Sequence, residues 1–166
     1  RASYGVNGNQ AISAYETISR LSSQNIVAGT TTLPGYVPSK LGQDDLGWES
    51  TKTLNIGIDF GILNNRITGD INLYKQNTYD LLLDRTISPI YAVSSITQNI
   101  GETENRGLDL SLTSQNISTK NFKWETSGNI AFVKNKIVSL YGIKDSAGRE
   151  IDDVANAWFI GKPILV

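Results

Sequence analysis

The stretch Leu54–Lys75 reads LNIGIDFGILNNRITGDINLYK and alternates apolar and polar residues on both sides of Asn64-Asn65. Such alternation is typical of β-strands, whose successive side chains point to opposite faces. Asparagine tolerates positive φ, so the Asn-Asn pair fits a two-residue hairpin turn. With that turn, four apolar residues of the first strand face an apolar residue or glycine of the second: the pairs are Ile62 with Ile67, Phe60 with Gly69, Ile58 with Ile71, and Ile56 with Leu73. A one-residue slip would destroy this match, so the sequence predicts a hairpin with a fixed register.

A second hairpin is predicted from two further alternating runs. RGLDLSL, starting at Arg106, places its three leucines on one face and its polar residues on the other. FKWETSGNIAFVKN does the same with its apolar residues, which are Phe122, Trp124, Ile130 and Phe132. A short connection around residues 116–120 joins the two runs.

Three longer segments lie outside these strands, at residues 7–47, 84–102 and 139–156. They are rich in turn-forming residues, and irregular structure is predicted for them. The exception is AISAYETISRL at residues 11–21, where apolar residues recur every third position and a short helix is possible. Short turns of about two to five residues therefore alternate with long loops, an asymmetry that outer-membrane barrels show.

The composition excludes several classes of function. Lys and Arg number 15 and Asp and Glu number 16, and this balance argues against a nucleic-acid surface. The chain has no Cys and no His, which removes disulfides, thiolate metal sites and the usual general base. No stretch reaches the roughly 18 continuous apolar residues of a membrane helix. Because the chain has no Met and opens at Arg1 within a strand-like run, we expect a fragment or a processed product.

Other interpretations of the same residues stay open at this point. Strands with one apolar face are common in soluble antiparallel sheets, so a β-sandwich binding module is the main alternative. A carboxylate-based hydrolase is less favoured, since no acid stands in a context that singles it out, and no enzyme is predicted. Asp44-Asp45 and Asp152-Asp153 offer oxygen ligands for Ca²⁺, but neither run matches an EF-hand loop. No metal or cofactor is therefore expected.

Several motifs together resemble the C-terminal barrel of TonB-dependent outer-membrane receptors, and most closely the SusC/RagA-type transporters. The run NIGETENRGLDLSL, from Asn99, resembles the general receptor pattern of Asn-x-Gly, an acidic residue, Gly and an alternating strand. LGWESTK, from Leu46, resembles the Trp-Glu-Thr-Thr pattern of the SusC/RagA branch. RASYGVNGNQ at the start belongs to the same set, and WFIGKPI, from Trp158, resembles the beginning of the next strand. The order and spacing of these motifs carry the resemblance.

The resemblance implies an all-β fold, an antiparallel meander of about six strands that is a slice of a 22-stranded outer-membrane β-barrel. Residues 1–166 would be a partial barrel domain without the N-terminal plug and the TonB box. The six strands would be a partial one at residues 1–6, four full ones, and one cut at Val166.

The same resemblance implies a transporter in the outer membrane of a Gram-negative bacterium that imports glycan or peptide oligomers. Its partners would be a SusD-like surface lipoprotein and the TonB complex, the latter through the missing N-terminal part, but no nucleic acid.

For individual residues, the alternation and the resemblance give three sets of expectations. The apolar side chains would face lipid, where a charge near the bilayer centre costs about 2–4 kcal/mol. These are Leu54, Ile56, Ile58, Phe60, Ile71 and Leu73. The opposite positions would face the lumen or plug, and they include Asn55, Asp59, Asp70, Asn72 and Asp109. Aromatic residues near the long loops would contact substrate or partner, or else pack at the membrane interface. They are Tyr36, Trp48, Tyr79 and Tyr91.

Overall fold

The computed structural model describes residues 1–10 and 12–164, and it is antiparallel and all-β, as the sequence predicts. Strands β1, β4, β5, β6 and β7 form one sheet in that order, and β2 pairs with β3 in a second sheet. The strands of the described residues are β1 (Ala2–Asn9), β2 (Arg20–Ala28), β3 (Thr31–Lys40), β4 (Glu49–Ile62), β5 (Ile67–Thr86), β6 (Ser95–Ser118) and β7 (Lys123–Ser139).

The β4–β5 hairpin has the register that the sequence predicts. Ile58 pairs with Ile71 and Ile56 with Leu73. Asn64 and Asn65 have φ angles of 56° and 61°. A two-residue type I′ hairpin turn requires such positive φ angles at both central residues. The Arg66 amide donates to the Leu63 carbonyl over 3.2 Å and closes the turn. The predicted hairpin is therefore confirmed in both register and turn position.

The β6–β7 hairpin is also confirmed, although its turn lies further along the chain than predicted. Leu108 pairs with Phe132 and Leu110 with Ile130, but β6 continues to Ser118. A bulge between Gln115 and Ile117 shifts the register and carries β6 past the predicted connection. The turn is held at residues 119–122, where the Thr119 hydroxyl accepts from the Phe122 amide over 3.0 Å.

The prediction of irregular structure was wrong for most of residues 7–47. β1 extends to Asn9, and Arg20–Ala28 pairs with Thr31–Lys40 as a separate hairpin. Pro34 and Pro38 lie within β3, where only one partner strand needs hydrogen bonds, so the missing amide of proline is tolerated. The possible helix at residues 11–21 does not form in the described part of that segment, which contains turns and the start of β2.

The segment 84–102 is likewise mostly strand. β5 runs to Thr86 and β6 begins at Ser95, so the connection contains only residues 87–94, with a 3₁₀ turn at Pro89–Tyr91. A bulge between Thr78 and Leu81 interrupts the ladder, and pairing then resumes. Alternation is lost at this bulge, and the sequence pattern therefore did not predict the end of β5 and the beginning of β6.

A sixth full strand near the end is not formed within the described residues. WFIGKPI contributes isolated bridges, in which Ile160 pairs with Ile137 and Trp158 with Asp153. Val166, where the strand was expected to be cut, lies outside the described residues. The chain thus contributes five strands to its main sheet, counted over residues 1–10 and 12–164.

The five-stranded sheet has two different faces. On the apolar face, rows of paired side chains run across the strands, such as Ile56, Leu73, Leu108 and Phe132. The polar face presents the alternate positions. No helix within residues 1–10 and 12–164 has the length and apolar character to cross a membrane.

Candidate functional site: the two faces of the barrel wall

The six positions expected to face lipid share the apolar face. Ile58, Ile71, Leu110 and Ile130 form one row, and Phe60 opposes Gly69 in the next. Leu54, Ile56, Ile58 and Leu73 are exposed, and Ile58 keeps 61% of its accessible surface. Phe60 and Ile71 are half-buried. The two-stranded sheet leaves this face open, so the apolar band is not the core of a sandwich.

The five positions expected to face the lumen share the polar face. Asp59 lies directly opposite Asp70, and like charges in this arrangement repel each other. Arg1 offsets the repulsion, because its guanidinium lies 3.1 Å from Asp59 and 3.9 Å from Asp70. Asn72 and Ser111 also donate to Asp70. The carboxylates therefore belong to a hydrogen-bonded polar wall.

Asn72 links this wall to the next strand. It pairs with Gly57 on one side and with Asp109 on the other. Its side-chain oxygen accepts from Arg1 over 3.0 Å. Asn55, two residues from Gly57, has a buried side-chain oxygen for which no partner is found among the described residues. Such an atom is available to water or a ligand on this face.

Residues of two sequence motifs make hydrogen bonds at the bulge in β5. The sequence analysis did not predict these contacts. Asn99 accepts from the Gly47 amide over 2.7 Å and donates to the carbonyls of Gly47 and Asp80. Asp80 has a φ of 57°, which marks the bulge. The Glu49 carboxylate accepts from the Leu82 amide, just beyond it. The NIGETENRG and LGWESTK motifs thus tie three strands together.

The four aromatic candidates lie in different places. Trp48 covers the backbone of Gly8, and a Cβ there would come within 2.8 Å of its Cε3. Tyr79 pairs with Ser50 on the apolar face and lies under the Lys52 ammonium, 4.7 Å from the ring centre. Tyr36, in β3, and Tyr91, in the 3₁₀ turn, are both largely exposed. The register favours an interface position for Tyr79 over contact with a substrate in the lumen.

One carboxylate on the apolar face was not predicted as a site residue. Glu104 has a side chain that is only 7% exposed and lies among three cations. Lys75, Arg106 and Lys136 approach it to 3.1, 2.8 and 3.2 Å. Lys75 and Arg106 lie on the same face of the sheet as the apolar residues of their strands. This arrangement marks the end of the apolar band toward the long connections.

The segment after β7 folds over the polar face near the long connections. Ile137 and Leu140 retain 3% and 2% exposure, and Trp158 helps to line a cavity of about 190 Å³ beside them. The Ile137 amide donates to Lys162, and the Gly161 amide donates back to Ile137. The part of the polar face beside these residues is therefore apolar. The sequence analysis predicted only polar residues on this face.

Acidic side chains hold this segment in shape. Burial tends to raise the pKa of Glu150, but donors from Gly142, Leu140 and Ser139 hold it below the usual value. Burial and the hydrogen bond to Asp153 raise the pKa of Tyr141 to about 12.

The acids once considered as calcium ligands have separate partners. Asp152 accepts from the Ile160 amide over 2.7 Å, and Asp153 accepts from Asn156 and Tyr141. In residues 1–10 and 12–164, no group of three or more His, Cys, Asp or Glu could hold a metal ion.

Comparison with known proteins decides the family. The family described as TonB dependent receptor-like, beta-barrel matches residues 1–164. The chain belongs to the TonB-dependent receptor β-barrel family. TonB-dependent receptor P3 of Formosa agariphila is 41% identical over 84% of the chain, which covers 14% of that relative. TonB-dependent receptor SusC of Bacteroides thetaiotaomicron is 44% identical over 64% of the chain and 11% of the relative.

Solved structures of the family agree with the fold. The structure of the RagAB peptide transporter matches 98% of the chain with a TM-score of 0.80 and 29% identity, and the match covers 18% of that structure's chain. The chain thus spans less than a fifth of the TonB-dependent receptors to which it is similar. Its sheet is part of a barrel, as the resemblance implied. The relatives are outer-membrane proteins of Gram-negative bacteria.

Proposed function

We propose that this chain forms part of the wall of an outer-membrane transporter that imports nutrient oligomers, either glycans or peptides. In this proposal residues 1–166 belong to one barrel domain. A SusD-like lipoprotein caps the side of the long connections, and the TonB complex supplies energy through another part of the protein. We assign transport as the role, which the membership of transporters and receptors in the family supports.

The observation that carries the proposal is the uncovered apolar band. Three successive rows on the apolar face contain only apolar residues and glycine, across β4 to β7. In water such a face invites association, whereas in lipid it is the expected surface of a barrel wall. In these rows the residues of β5 and β6 pair with a neighbouring strand on each side, which suits the need of backbone polar groups for internal partners in lipid.

The opposite face supports a solvated pathway. Asp59, Asp70 and Asp109 would face lipid if the sheet were reversed, and each would then carry a large desolvation cost. The positions of the charged residues therefore indicate which face of the sheet meets lipid. The soluble sandwich is disfavoured by the same reasoning, because its inner face must be covered by a second sheet.

The orientation can be tested with two neighbouring residues on β4. In the full-length protein, without other cysteines, we would label Ile58→Cys and Asp59→Cys separately with an environment-sensitive fluorophore in outer-membrane vesicles. We expect nitroxide lipids to quench the label at 58 and iodide to quench the label at 59. Equal quenching of both labels by each agent would contradict a membrane-spanning wall.

The transport role needs a separate measurement. Cells that express the full-length protein should take up labelled oligopeptides or oligosaccharides, and an uncoupler that collapses the proton gradient should stop the uptake. A deletion strain provides the control. Uptake that is unchanged in the deletion strain for both oligomer classes would overturn the assignment as an importer.

A further inference from the structure

The apolar face ends in a group of cations at the side of the long connections. We call the following residues the cation cluster: Lys52, Lys75, Arg106, Lys134 and Lys136, which lie in the row of Glu104 or in the row beside it. Lys75, Arg106 and Lys134 occupy one row of the register, directly beyond the row of Leu73, Leu108 and Phe132. Lys52, Glu104 and Lys136 occupy the next row. A second carboxylate, that of Glu102, accepts from Asn77 in the row of Glu104. Five cations against these two carboxylates leave a net positive patch at the end of the apolar face.

The contacts within the cluster hold its cations in defined positions. Glu104 is nearly buried and pairs with Lys75, Arg106 and Lys136 at 2.8 to 3.2 Å. A single carboxylate cannot neutralise three cations, so it acts as a spacer that keeps their remaining donors close together. Glu104, Arg106, Lys134 and Lys136 line a small cavity of about 120 Å³. Within residues 1–10 and 12–164, Glu104 forms ion pairs with Lys75, Arg106 and Lys136 but not with Lys134, whose ammonium can face an anion.

The distance of the cation cluster from the opposite end of the apolar face indicates where that anion lies. Trp124 and Lys134 are ten residues apart on β7. This separation corresponds to about 33 Å along a strand and about 23 Å across a bilayer at the usual tilt. Outward-facing apolar bands of membrane barrels are about 25 Å tall. Trp124 and the cluster therefore mark the two edges of the band.

Aromatic side chains on the apolar face support this position of the cation cluster. Tyr4 opposes Leu54 in the row of Lys75, and Tyr79 lies under Lys52. Tyrosine and tryptophan gather at the headgroup level of membranes, where an apolar ring and a polar group are both accommodated. The cluster therefore lies where the charged groups of lipids lie.

We propose that the cation cluster binds the phosphate of a lipid headgroup in the leaflet on the side of the long connections. Arg and Lys are the side chains that suit phosphate, through charge and several directed donors. A lipid is favoured over a protein partner because the cluster continues the face that meets the acyl chains. The inference rests on the proposed function, since it requires that the apolar face meets lipid.

The test uses the purified full-length protein in detergent and native mass spectrometry of lipid adducts. The probe is bisphosphorylated lipid A, compared with the same lipid after removal of its phosphates. The variant Arg106→Gln/Lys134→Gln leaves Lys75 and Lys136 beside Glu104, so the carboxylate keeps two partners. The matched control is Lys120→Gln/Lys123→Gln, which removes two cations at the short-turn end. Thermal unfolding of both variants verifies that they fold.

We expect the wild type and the control to bind the phosphorylated lipid equally well. Arg106→Gln/Lys134→Gln should bind it roughly thirtyfold more weakly, given the usual contribution of each cation near an anionic surface. Should that variant fail to fold, Lys134→Gln alone replaces it, with an expected loss of roughly fivefold. Equal binding of the phosphorylated and dephosphorylated lipid, or no difference between variant and control, would overturn the proposal.

Two further results separate the possible explanations. Inorganic phosphate that displaces the lipid at equal molar concentration would show a site for free phosphate and would overturn lipid binding. Quenching of the label at residue 58 by nitroxide lipids is measured on the same protein. If that label is quenched but the cluster variants bind lipid normally, the cluster inference fails while the barrel wall stands. If the label is not quenched, the proposed function itself fails.

Discussion

The ring of Tyr74 lies directly over the backbone of Gly107, its partner on the neighbouring strand of the polar face. A Cβ at residue 107 would overlap the ring carbons and the hydroxyl of the tyrosine. The glycine therefore leaves room for the tyrosine ring, and any larger residue would make that ring move. Glycine weakens a strand by itself, and a ring that covers it restores packing.

Gly107→Ala should destabilise the full-length protein by about 1–3 kcal/mol, because the new methyl group must displace the Tyr74 ring. Gly128→Ala is the matched control, since a Cβ there meets nothing within 4 Å. Urea-dependent folding into lipid vesicles measures both. Adding Tyr74→Ala to Gly107→Ala should recover part of the loss. Equal midpoints for the two glycine variants would contradict the close approach.

Leu110→Arg and Ser111→Arg place the same charge on opposite faces of β6. The arginine at residue 110 would enter the apolar band and should cost about 2–4 kcal/mol of folding free energy in lipid vesicles. The arginine at residue 111 would approach Asp70 on the polar face and should cost much less. Similar losses for the two variants would show that both faces have the same surroundings.

Asn99→Ala should release Gly47 from the bulge at Asp80, because three hydrogen bonds are lost together. We expect a loss of about 1–3 kcal/mol and faster proteolysis near residue 47. Asn129→Ala, at an exposed position on β7, serves as the control. A cleavage pattern that is unchanged in Asn99→Ala would mean that the connection before β4 is held by other contacts.

The segment after β7 should loosen at low pH. The folded pKa of Glu150 lies below 4.5, the ordinary value that an unfolded segment has. The stabilisation is therefore complete above about pH 4.5 and is lost as the pH falls through the folded pKa. Hydrogen exchange at residues 139–150, corrected for the intrinsic rate, measures this change. Glu150→Gln should exchange faster at neutral pH and show a smaller pH dependence, whereas Glu125→Gln should behave like the wild type.

Alanine variants of the four aromatic candidates should separate into two groups. Trp48→Ala and Tyr79→Ala should lower stability, since Trp48 covers Gly8 and Tyr79 contacts Lys52. Tyr36→Ala and Tyr91→Ala should leave stability unchanged, because both rings are exposed, and should weaken binding of substrate or lipoprotein. Unfolding and pull-down of the lipoprotein from the same preparations give both quantities. Unchanged binding in both tyrosine variants would remove them from the contact surface.

Local patterns were sufficient to predict the hairpins. Alternation about Asn64-Asn65 specifies both the turn and the pairing of Ile58 with Ile71, because each depends on residues close in sequence. Segments where the pattern changes phase were misread. Asp80 interrupts the period of two in β5, and Pro34 and Pro38 suggested a loop although a two-stranded sheet accommodates them.

Long-range side-chain contacts could not be derived from the sequence pattern. Asn99 belongs to a recognised motif, but its contact with Gly47 spans 52 residues and depends on the bulge between the strands. Glu104 lies on the same face as the apolar residues of β6. Only the pairing of the strands shows that three cations converge on it. Such contacts need the assembled sheet, since they join residues from different strands.

The length of β5 has a consequence for recognition at the cell surface. Its 20 residues extend for about 65 Å, or about 46 Å along the membrane normal at the usual tilt, while the apolar band takes up about 25 Å. In the proposed function, much of the strand therefore extends beyond the lipid, and it stays paired with β6 up to Thr86. The exposed groups near its tip are pre-organised, so a partner that docks there loses little affinity to the entropy of ordering a flexible loop.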